Sequence, residues 1–312
     1  MNIDFDVMRE PDFFNRTEKA REEGIKKVDW EDVPFCPICG YLEIEGYKFA
    51  PSINFAICSN CNCLYSTQVP VKSNSAEYDL KDISEVSKIP DENKRDYRQQ
   101  RFAMERIGLI RQYLNKPLSK ANLLDIGCNT GFFLEVASDY FNISNGTEHG
   151  DVIREYAHEK LKGKCVVSKD IDDAEQYDVI TLFDVIEHIK DPLKLLYRIK
   201  EILSDDGIIV IFTPNWKSLA FDLLGKEGCQ YFPADHLLFL CLKVVKEIAR
   251  KLDMFLEMYE TRGMDWFDIL AFERDINKIN IKDSMLKKQV NKLQEQVDKN
   301  NYANHMRFVL RK

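Results

Sequence analysis

Residues 121–133 contain the group best suited to binding a small organic ligand. An apolar run ends in the acid Asp125, and two glycines, Gly127 and Gly131, follow four residues apart. Helical spacing comes next, so the sequence predicts a strand, a tight glycine turn and the start of a helix. In that arrangement backbone N–H groups contact a nucleotide-like ligand. Asn129 replaces the middle glycine of the dinucleotide pattern G-x-G-x-x-G and no third glycine follows, which favours a ligand without phosphates.

Two pairs of cysteines form a second group with a definite chemistry. Cys36 and Cys39 are separated from Cys58 and Cys61 by 18 intervening residues. Two such turns converge on a tetrahedral Zn²⁺, and a site with four cysteine ligands is closed and therefore structural. Cys63 is an alternative to Cys61 as the fourth ligand. Buried free cysteines are the other interpretation, but they do not explain the paired spacing.

Two histidines are candidates for a general base. His188 follows the predicted strand at 177–183 and stands next to Glu187, whereas His236 follows Asp235 in the loop after the next strand. A neutral imidazole near pH 7 can accept a proton from a hydroxyl group. We rank His188 ahead of His236. The alternative is that both acid–histidine pairs only hold their loops in place.

The elements that must position these residues alternate along the chain from residue 95 onward. Strands are predicted at 123–127, up to 148, 165–167, 177–183, 207–212, 254–259 and 266–271, and helices at 95–114, 131–140, 151–162, 191–203 and 242–252. Buried strands separated by helices indicate a mostly parallel sheet that is covered on both faces. The sequence therefore predicts a doubly wound α/β domain at 95–273.

The remaining segments are predicted to be smaller units. Residues 1–34 form an arm, 35–65 a zinc-binding module and 66–94 a polar linker or flap carrying Tyr78. Residues 274–312 show heptad spacing and predict a helix that forms a short coiled coil, with association of identical chains as its consequence. The heptad seams contain Ile276, Val290 and Val297 on one position and Ile279, Leu286 and Leu293 on the other. A surface helix that packs on its own domain is the equal alternative.

Composition limits the class of protein. The chain has 312 residues, 45% hydrophobic and 31% charged, and a formal net charge of −8. This length can bury one large core and a smaller module, and the acidic balance argues against a nucleic-acid substrate. No apolar run approaches the ~18 residues of a membrane span, and no export signal is seen. Nine cysteines then indicate metal ligands and buried thiols, so we expect a cytoplasmic protein.

Over residues 95–271 the order of these features resembles that of class I S-adenosylmethionine-dependent methyltransferases. The resemblance implies a Rossmann-like sheet of seven strands and a divided cofactor site. It implies that the glycine loop holds the methionyl part, that one acid binds the ribose hydroxyls, that another lies beside the adenine, and that the fourth strand ends under the methionine. These residues are, in that order, Asp125, Gly127, Cys128, Asn129, Gly131 and Phe132; Glu148 and His149; Asp170 and Ile171; and Phe183 and Asp184. The missing glycine disfavours a nicotinamide cofactor, and no acidic polyamine channel for an aminopropyl transferase is visible.

The zinc module ahead of this domain resembles that of bacterial sugar and natural-product methyltransferases. Sugar C-methyltransferases of that kind carry a long additional C-terminal domain, which residues 274–312 do not match, so we expect O-methylation of a nucleotide-sugar or surface polysaccharide in carbohydrate biosynthesis. The acceptor is expected between the sheet edge, the 214–236 loop and the flap. Alternatives are a phenolic or quinone-like acceptor, sugar C-methylation, and a non-catalytic scaffold that binds S-adenosylmethionine. Asp184, Glu187 and His188 also resemble the cluster that some ubiquinone-pathway O-methyltransferases place around Mg²⁺ or Mn²⁺.

Overall fold

The strands and helices below come from a computed structural model that describes residues 3–26, 28–42, 44–48, 54–71, 99–172, 174–231, 235–282 and 284–312. Most of the predicted flap at 66–94, including Tyr78, lies outside these residues. No helix in the described part of the chain is long and apolar enough to cross a membrane.

The elements are numbered here in chain order. The strands are β1 (Trp30–Asp32), β2 (Ile44–Lys48), β3 (Asn54–Cys58), β4 (Leu64–Ser66), β5 (Gln68–Pro70), β6 (Asn122–Ile126), β7 (Ile143–Thr147), β8 (Val167–Ser168), β9 (Tyr177–Phe183), β10 (Leu203–Pro214), β11 (Leu238–Phe239), β12 (Phe255–Thr261) and β13 (His305–Arg311). The helices are α1 (Phe5–Met8), α2 (Phe13–Lys26), α3 (Met104–Tyr113), α4 (Phe132–Ala137), α5 (Asp151–Lys160), α6 (Pro192–Glu201), α7 (Leu219–Leu224), α8 (Leu242–Leu252), α9 (Asp265–Asp275) and α10 (Met285–Lys299).

A seven-stranded sheet in the order β12-β13-β10-β9-β6-β7-β8 forms the centre of the molecule. The strands from β10 to β8 pair in parallel, and β13 is antiparallel to both β10 and β12. Every residue of β9 is buried, as expected for a strand covered on both faces. The predicted doubly wound, mostly parallel seven-stranded sheet is therefore confirmed.

The two faces of the sheet pack into separate hydrophobic clusters. Leu123 and Val179 point into the cluster that includes Ile107 of α3 and Phe133 of α4. Their chain neighbours Leu124 and Ile180 point into the opposite cluster, together with Leu196 of α6 and Val245 of α8. Side chains alternate across a strand, so the helices on each face receive every second residue.

The cysteine module shares its core with the large sheet. Its own sheet has the order β11-β4-β3-β2, and β11 comes from the chain just after His236. Phe55 and Tyr65 of the module lie in the same buried cluster as Ile180 and Val245. The module is thus joined to the domain of the seven-stranded sheet through both a strand and a common core.

Two predictions for the last third of the chain need correction. Residues 266–271 are not a strand but lie in α9. Consecutive residues of this segment are buried on several sides of the helix, which gives it the continuous pattern of a buried strand; they are Phe267, Asp268, Ile269, Leu270 and Ala271. The strand expected there is supplied by β13, which inserts between β10 and β12. The helix predicted across 274–312 is limited to α10, and the last residues return to the sheet.

The heptad seams of the C-terminal segment do not form one continuous surface. Val290 and Val297 of α10 are buried within this chain, whereas Ile279 and Leu286 are about half exposed, at 50% and 49%. Gln294 is also buried, and its side-chain amide donates to Asp265 of α9 at 3.1 Å. The helix packs on its own domain, which was the alternative to the coiled coil.

Candidate functional site

The glycine turn follows β6 as the sequence predicts. Gly127 and Gly131 have φ values of +68° and +73°, and Asn129 between them has +51°. A Cβ atom on Gly127 would lie 2.6 Å from Val185 Cγ2, and one on Gly131 would lie 2.6 Å from Leu161 Cδ1. Both positions therefore require glycine for backbone conformation and for space. The turn leads into α4, where backbone N–H groups are available to a ligand.

Glu148 reaches from the end of β7 back to this turn. Its Oε2 accepts from the backbone N–H of Asn129 at 3.0 Å, and its Oε1 accepts from that of Gly150 at 2.9 Å. His149 and Asp170 are exposed beside it, and Ile171 is half-buried. Because β6, β7, β8 and β9 are parallel neighbours, their carboxyl ends meet at one edge of the sheet. The structure thus brings the predicted cofactor residues to one edge.

Asp125 and Cys128 lie beneath this edge and are buried. Thr181 Oγ1 donates to Asp125 Oδ1 at 2.6 Å, and burial raises the pKa of Asp125 to about 7. Cys128 is 3% exposed, and its backbone N–H donates to the Thr147 carbonyl at 2.9 Å. These two residues shape the floor of the turn, whereas Asn129 and Glu148 line its accessible side.

Arg106 of α3 is a cation at this edge that the motif analysis missed. Its guanidinium carbon lies 4.0 Å from the ring centre of Phe183 and 5.1 Å from that of Phe132. Among the described residues no carboxylate lies within 4.0 Å of this guanidinium, since it appears in no ion pair. A cation over an aromatic ring is stabilised there and remains able to pair with an anion.

Asp184 immediately follows β9, and its side chain points toward β13. It has a φ of +59°, and its Oδ1 contacts Nε2 of His305 in β13 at 2.6 Å. Burial acts to raise the pKa of Asp184, but the charges of His305 and Arg106 outweigh it and hold this pKa at about 2. His305 carries no motif in the sequence, and only the antiparallel return of β13 places it here.

Glu187, which is buried, forms a group next to Asp184 with His188, Asp235 and His236, which are partly buried. Oδ1 of Asp235 lies 3.0 Å from Nδ1 of His188, and the rings of His188 and His236 have centres 4.8 Å apart. Glu187 is fully buried; Thr213 Oγ1 donates to its Oε2 at 3.0 Å, and its Oε1 has no hydrogen-bond partner in the described chain. The structure therefore joins the two predicted histidines into one cluster.

The two imidazoles of this cluster have opposite protonation states near neutral pH. Burial acts to lower the pKa of His188, but the hydrogen bond and charge of Asp235 and the charge of Glu187 raise it to about 9. Burial, followed by repulsion from His188, lowers the pKa of His236 to about 4. A base must be unprotonated to accept a proton. These pKa shifts leave His236, and not His188, unprotonated near neutral pH.

The divalent-ion set predicted as Asp184, Glu187 and His188 is not assembled in this form. The donor atoms that lie within 4.8 Å of one another belong to Glu187, His188 and His236. Asp184 contacts His305 instead. A single carboxylate with two imidazoles is not the oxygen-rich set that Mg²⁺ prefers, so the geometry gives no support to Mg²⁺ at this position.

Four cysteines of the N-terminal module converge as their spacing predicts. The sulfur atoms of Cys36, Cys39, Cys58 and Cys61 all lie within 4.8 Å of one another, with Cys36 to Cys61 at 3.5 Å and Cys39 to Cys58 at 3.4 Å. Tetrahedral zinc with Zn–S bonds of about 2.3 Å needs sulfur atoms about 3.8 Å apart, so the group fits that ion. Cys63 lies outside this group, with its thiol 3.8 Å from the carbonyls of Leu64 and Phe239.

A cavity of about 680 Å³ opens beside Asp184. It lies between the start of α3, the end of β12, the start of β13 and α10. The N-terminal residues Ile3 and Met8 also line it. Most of its lining is polar, including Arg101, Glu105, Arg106, Gln230, Glu260, Arg262, Gln294, Asn304, His305 and Arg307. Its volume suits a small-molecule ligand.

Comparisons with known proteins agree with this architecture. A family model described as a methyltransferase domain matches residues 96–283. A curated relative named Ubiquinone biosynthesis O-methyltransferase, from Rhodopseudomonas palustris (strain HaA2), is 30% identical over 123 residues, which are 35% of this chain and 47% of the relative. A protein of the same name from Actinobacillus pleuropneumoniae serotype 7 (strain AP76) is 27% identical over 177 residues, or 53% of this chain and 70% of that protein.

The chain spans about half the length of the curated relatives that match it first, at 47%. Among solved structures, an S-adenosylmethionine dependent methyltransferase from Mesorhizobium loti aligns over 69% of this chain and 100% of its own, with 13% identity and a TM-score of 0.46.

Proposed function

This chain belongs to the methyltransferase-domain family, and from that premise we propose that it transfers a methyl group from S-adenosylmethionine to a hydroxyl oxygen of a small molecule. The observation that carries this proposal is the common edge formed by the carboxyl ends of β6 to β9, where the glycine turn, Glu148 and Asp184 meet. Open α/β sheets bind ligands at that edge.

The cofactor is assigned to this edge residue by residue. The turn with Gly127, Asn129 and Gly131 would hold the methionyl part. The Glu148 carboxylate would accept hydrogen bonds from both ribose hydroxyls. Asp170 would accept a hydrogen bond from the adenine amino group. Arg106 would pair with the carboxylate of the methionyl part, because its guanidinium lies at this edge over the Phe183 ring and no carboxylate of the described chain lies within 4.0 Å of it.

His236 is proposed as the general base of the transfer. The acceptor oxygen attacks the methyl carbon, the S–CH₃ bond breaks, and its electrons neutralise the sulfonium to give S-adenosylhomocysteine. The hydroxyl proton passes to the neutral imidazole of His236, whose low pKa keeps it unprotonated. Protonated His188, paired with Asp235, holds this group in position.

A phenolic or quinone-like acceptor is favoured by the names of the relatives, which are ubiquinone-pathway O-methyltransferases. A sugar acceptor, expected first from the sequence, is the second candidate. The specific observation in its favour is the cavity beside Asp184, whose lining of guanidinium, carboxylate and amide groups suits hydroxyl-rich or charged ligands.

Transfer of a labelled methyl group tests the proposal directly. Purified protein is incubated with radiolabelled S-adenosylmethionine and either 3,4-dihydroxybenzoate or a deoxythymidine-diphosphate hexose, and the label on each acceptor is counted. Label on oxygen of either acceptor supports O-methyl transfer and identifies the class, whereas label on carbon supports C-methylation. Binding of S-adenosylhomocysteine without transfer to a wide acceptor panel supports the non-catalytic scaffold and contradicts the enzyme.

The cysteine group is proposed as a structural zinc site. Zinc bound there supplies a closed cross-link between two turns and no reactive position. Metal analysis of the purified chain is expected to give one zinc per chain, and substitution of Cys39 by serine is expected to lower this content, whereas Cys63→Ser leaves it unchanged. Zinc loss in Cys63→Ser with retention in Cys61→Ser contradicts the assignment of Cys61.

A further inference from the structure

The segment that carries His236 is bonded directly to the cysteine module. Just after His236, β11 pairs antiparallel with β4, so that Leu238 faces Tyr65 and Phe239 faces Leu64. The backbone N–H of Ser66 in β4 also donates to the Leu237 carbonyl at 2.8 Å. The module therefore holds the residues that follow His236 by backbone hydrogen bonds, which are independent of side-chain identity.

Leu237 also bonds to the turn that carries His188. Its backbone N–H donates to the Glu187 carbonyl at 2.7 Å, on the opposite side from Ser66. The backbone of one residue, Leu237, thus bridges the cysteine module and the Ile186–His188 turn. A shift of β4 must move Leu237, and Leu237 lies between His236 and β11 and is bonded to the residue next to His188.

A second connection runs from the cysteine turn at residues 58–62. Asn62 has a φ of +64°, and its backbone N–H donates to the Cys58 carbonyl at 2.9 Å, so its orientation depends on the cysteine loop. The Asn62 carbonyl accepts from Trp216 Nε1 at 3.0 Å and from the Cys241 thiol at 3.6 Å. Both donors lie in the catalytic half of the chain.

Trp216 connects this contact to His236 through a row of aromatic rings. The indole is 4% exposed and packs edge-on against Phe221 at 5.6 Å, which in turn packs against Tyr231 at 5.3 Å. Gln230, the neighbour of Tyr231, accepts through its carbonyl a hydrogen bond with Nδ1 of His236. The two connections reach His236 from opposite sides, one through Leu237 and one through this row of rings.

We propose that the metal held by Cys36, Cys39, Cys58 and Cys61 positions His236 and His188, and that Trp216 is a positioning residue between the metal site and His236. A bound ion fixes the turn at residues 58–62, and a turn without the ion loses this constraint. The inference rests on the proposed role of His236 in proton transfer. It predicts that removal of the metal displaces His188 and His236, whereas the affinity for S-adenosylhomocysteine stays nearly unchanged.

The first experiment records the imidazole nitrogen resonances of the five histidines in ¹⁵N-histidine-labelled full-length protein. Spectra are compared before and after removal of the metal by a chelator. We expect the His188 and His236 signals to shift. The signals of His149, just before α5, and of His158, within α5, are expected to stay in place because both residues are far from the cysteine module. S-adenosylhomocysteine affinity is expected to change less than about twofold. Unchanged His188 and His236 signals after verified metal loss overturn the proposal.

The second experiment uses Trp216→Phe, which removes the indole N–H but keeps all four cysteines. Its metal content is expected to equal that of the wild type, and its His236 signal is expected to shift in the direction seen on metal removal. The kcat for any acceptor is expected to fall about tenfold with little change in S-adenosylhomocysteine affinity, since a small displacement of a catalytic group slows the chemical step. Trp266→Phe is the matched control, because that indole lies on α9 away from the module.

The outcomes separate this proposal from the proposed function. If removal of the metal unfolds the whole chain, Trp216→Phe decides the question, and an unshifted His236 signal in that variant overturns the inference. Shifted histidine signals with intact S-adenosylhomocysteine binding support it even if no tested acceptor is methylated. Cys165→Ser, which removes a buried thiol on the other face of the sheet, is expected to reproduce the wild-type spectrum.

Discussion

At the scale of single residues, two neighbouring imidazoles next to Asp184 have opposite charge preferences. Asp235 accepts a hydrogen bond from His188, whereas the partly buried His236 would carry a like charge beside His188 if it were protonated, which lowers its pKa. The arrangement separates two functions, because a protonated imidazole can orient neighbours but cannot accept a proton. Glu187 is fully buried beside them; burial raises its own pKa to about 7, and its charged form raises the pKa of His188.

Replacement of the two histidines is expected to have unequal effects. His236→Gln should lower kcat by about 10²- to 10³-fold, as the loss of a general base does, and His188→Gln by about tenfold or less. Steady-state kinetics on the acceptor found by methyl transfer measures both. In the wild type, the rate is expected to fall below about pH 5 as His236 is protonated near its pKa of about 4, and to fall again as His188 loses its proton near its pKa of about 9. A larger loss in His188→Gln contradicts this assignment.

The pairing of His188 with Asp235 is expected to make stability depend on pH. The folded pKa of His188 is about 9 and its unfolded value is about 6.5, so the extra stability is fully present below pH 6.5 and is lost as pH rises through 9. After solvent screening the loss is about 1–2 kcal/mol. Urea unfolding at pH 6 and pH 9.5 measures it, with Asp235→Asn as the comparison. An equal fall in stability in both proteins contradicts the pairing.

At the scale of elements, β13 decides both the sheet and the site. It fills the space between β10 and β12, and its first residue His305 contacts Asp184. The Asp265 carboxylate at the start of α9 accepts from the backbone N–H groups of Ala220 and Asn304, each at 2.9 Å. These bonds join α7, α9 and the approach to β13, so the C-terminal residues are part of the main domain.

Two leucines near the C-terminus distinguish a sheet strand from a coiled coil. Leu310 of β13 is fully buried, and Leu310→Ala should cost about 2–5 kcal/mol of unfolding free energy. Leu286 of α10 is 49% exposed, so Leu286→Ala should change stability by no more than about 0.5 kcal/mol. Urea denaturation of both variants provides the comparison. A coiled coil seam through Leu286 would instead make the two costs similar.

At the scale of the whole molecule, the N-terminal arm is packed onto the C-terminal helices. Phe5 stacks on Phe267 with ring centres 5.8 Å apart, and Arg9 forms a buried ion pair with Asp268 at 2.6 Å. The side-chain amide of Asn291 in α10 bonds to both the N–H and the carbonyl of Ile3. The first and last parts of the chain thereby close one side of the cavity.

Removal of the buried arginine tests this closure. Arg9→Ala leaves the Asp268 carboxylate buried without its cation, and breaking a buried pair from one side costs about 3–5 kcal/mol. Arg16→Ala removes a cation that is 49% exposed and should change stability by less than about 0.5 kcal/mol. Chemical denaturation gives both values, and limited proteolysis is expected to cut the arm faster in Arg9→Ala. Equal stability of the two variants contradicts a docked arm.

The sequence by itself determined the parts that depend on local spacing. The glycine turn at 127–131, the β9 strand and the α8 helix follow from periodicity and from residues with restricted conformations. The group of Cys36, Cys39, Cys58 and Cys61 was equally predictable, because the spacing within each Cys-x-x-Cys pair is a local property of the chain and is typical of metal ligands. Side-chain alternation and helical spacing operate over a few residues, and the printed chain carries them directly.

Only the tertiary structure decided the contacts between distant segments. Arg106, His305 and the seventh strand β13 had no sequence signal, since each gains its role from a neighbour far away in the chain. The apolar run at 266–271 has the composition of a strand, and burial around α9 made it a helix. Likewise the opposite protonation of His188 and His236 arises from their mutual approach and burial, which no local pattern encodes.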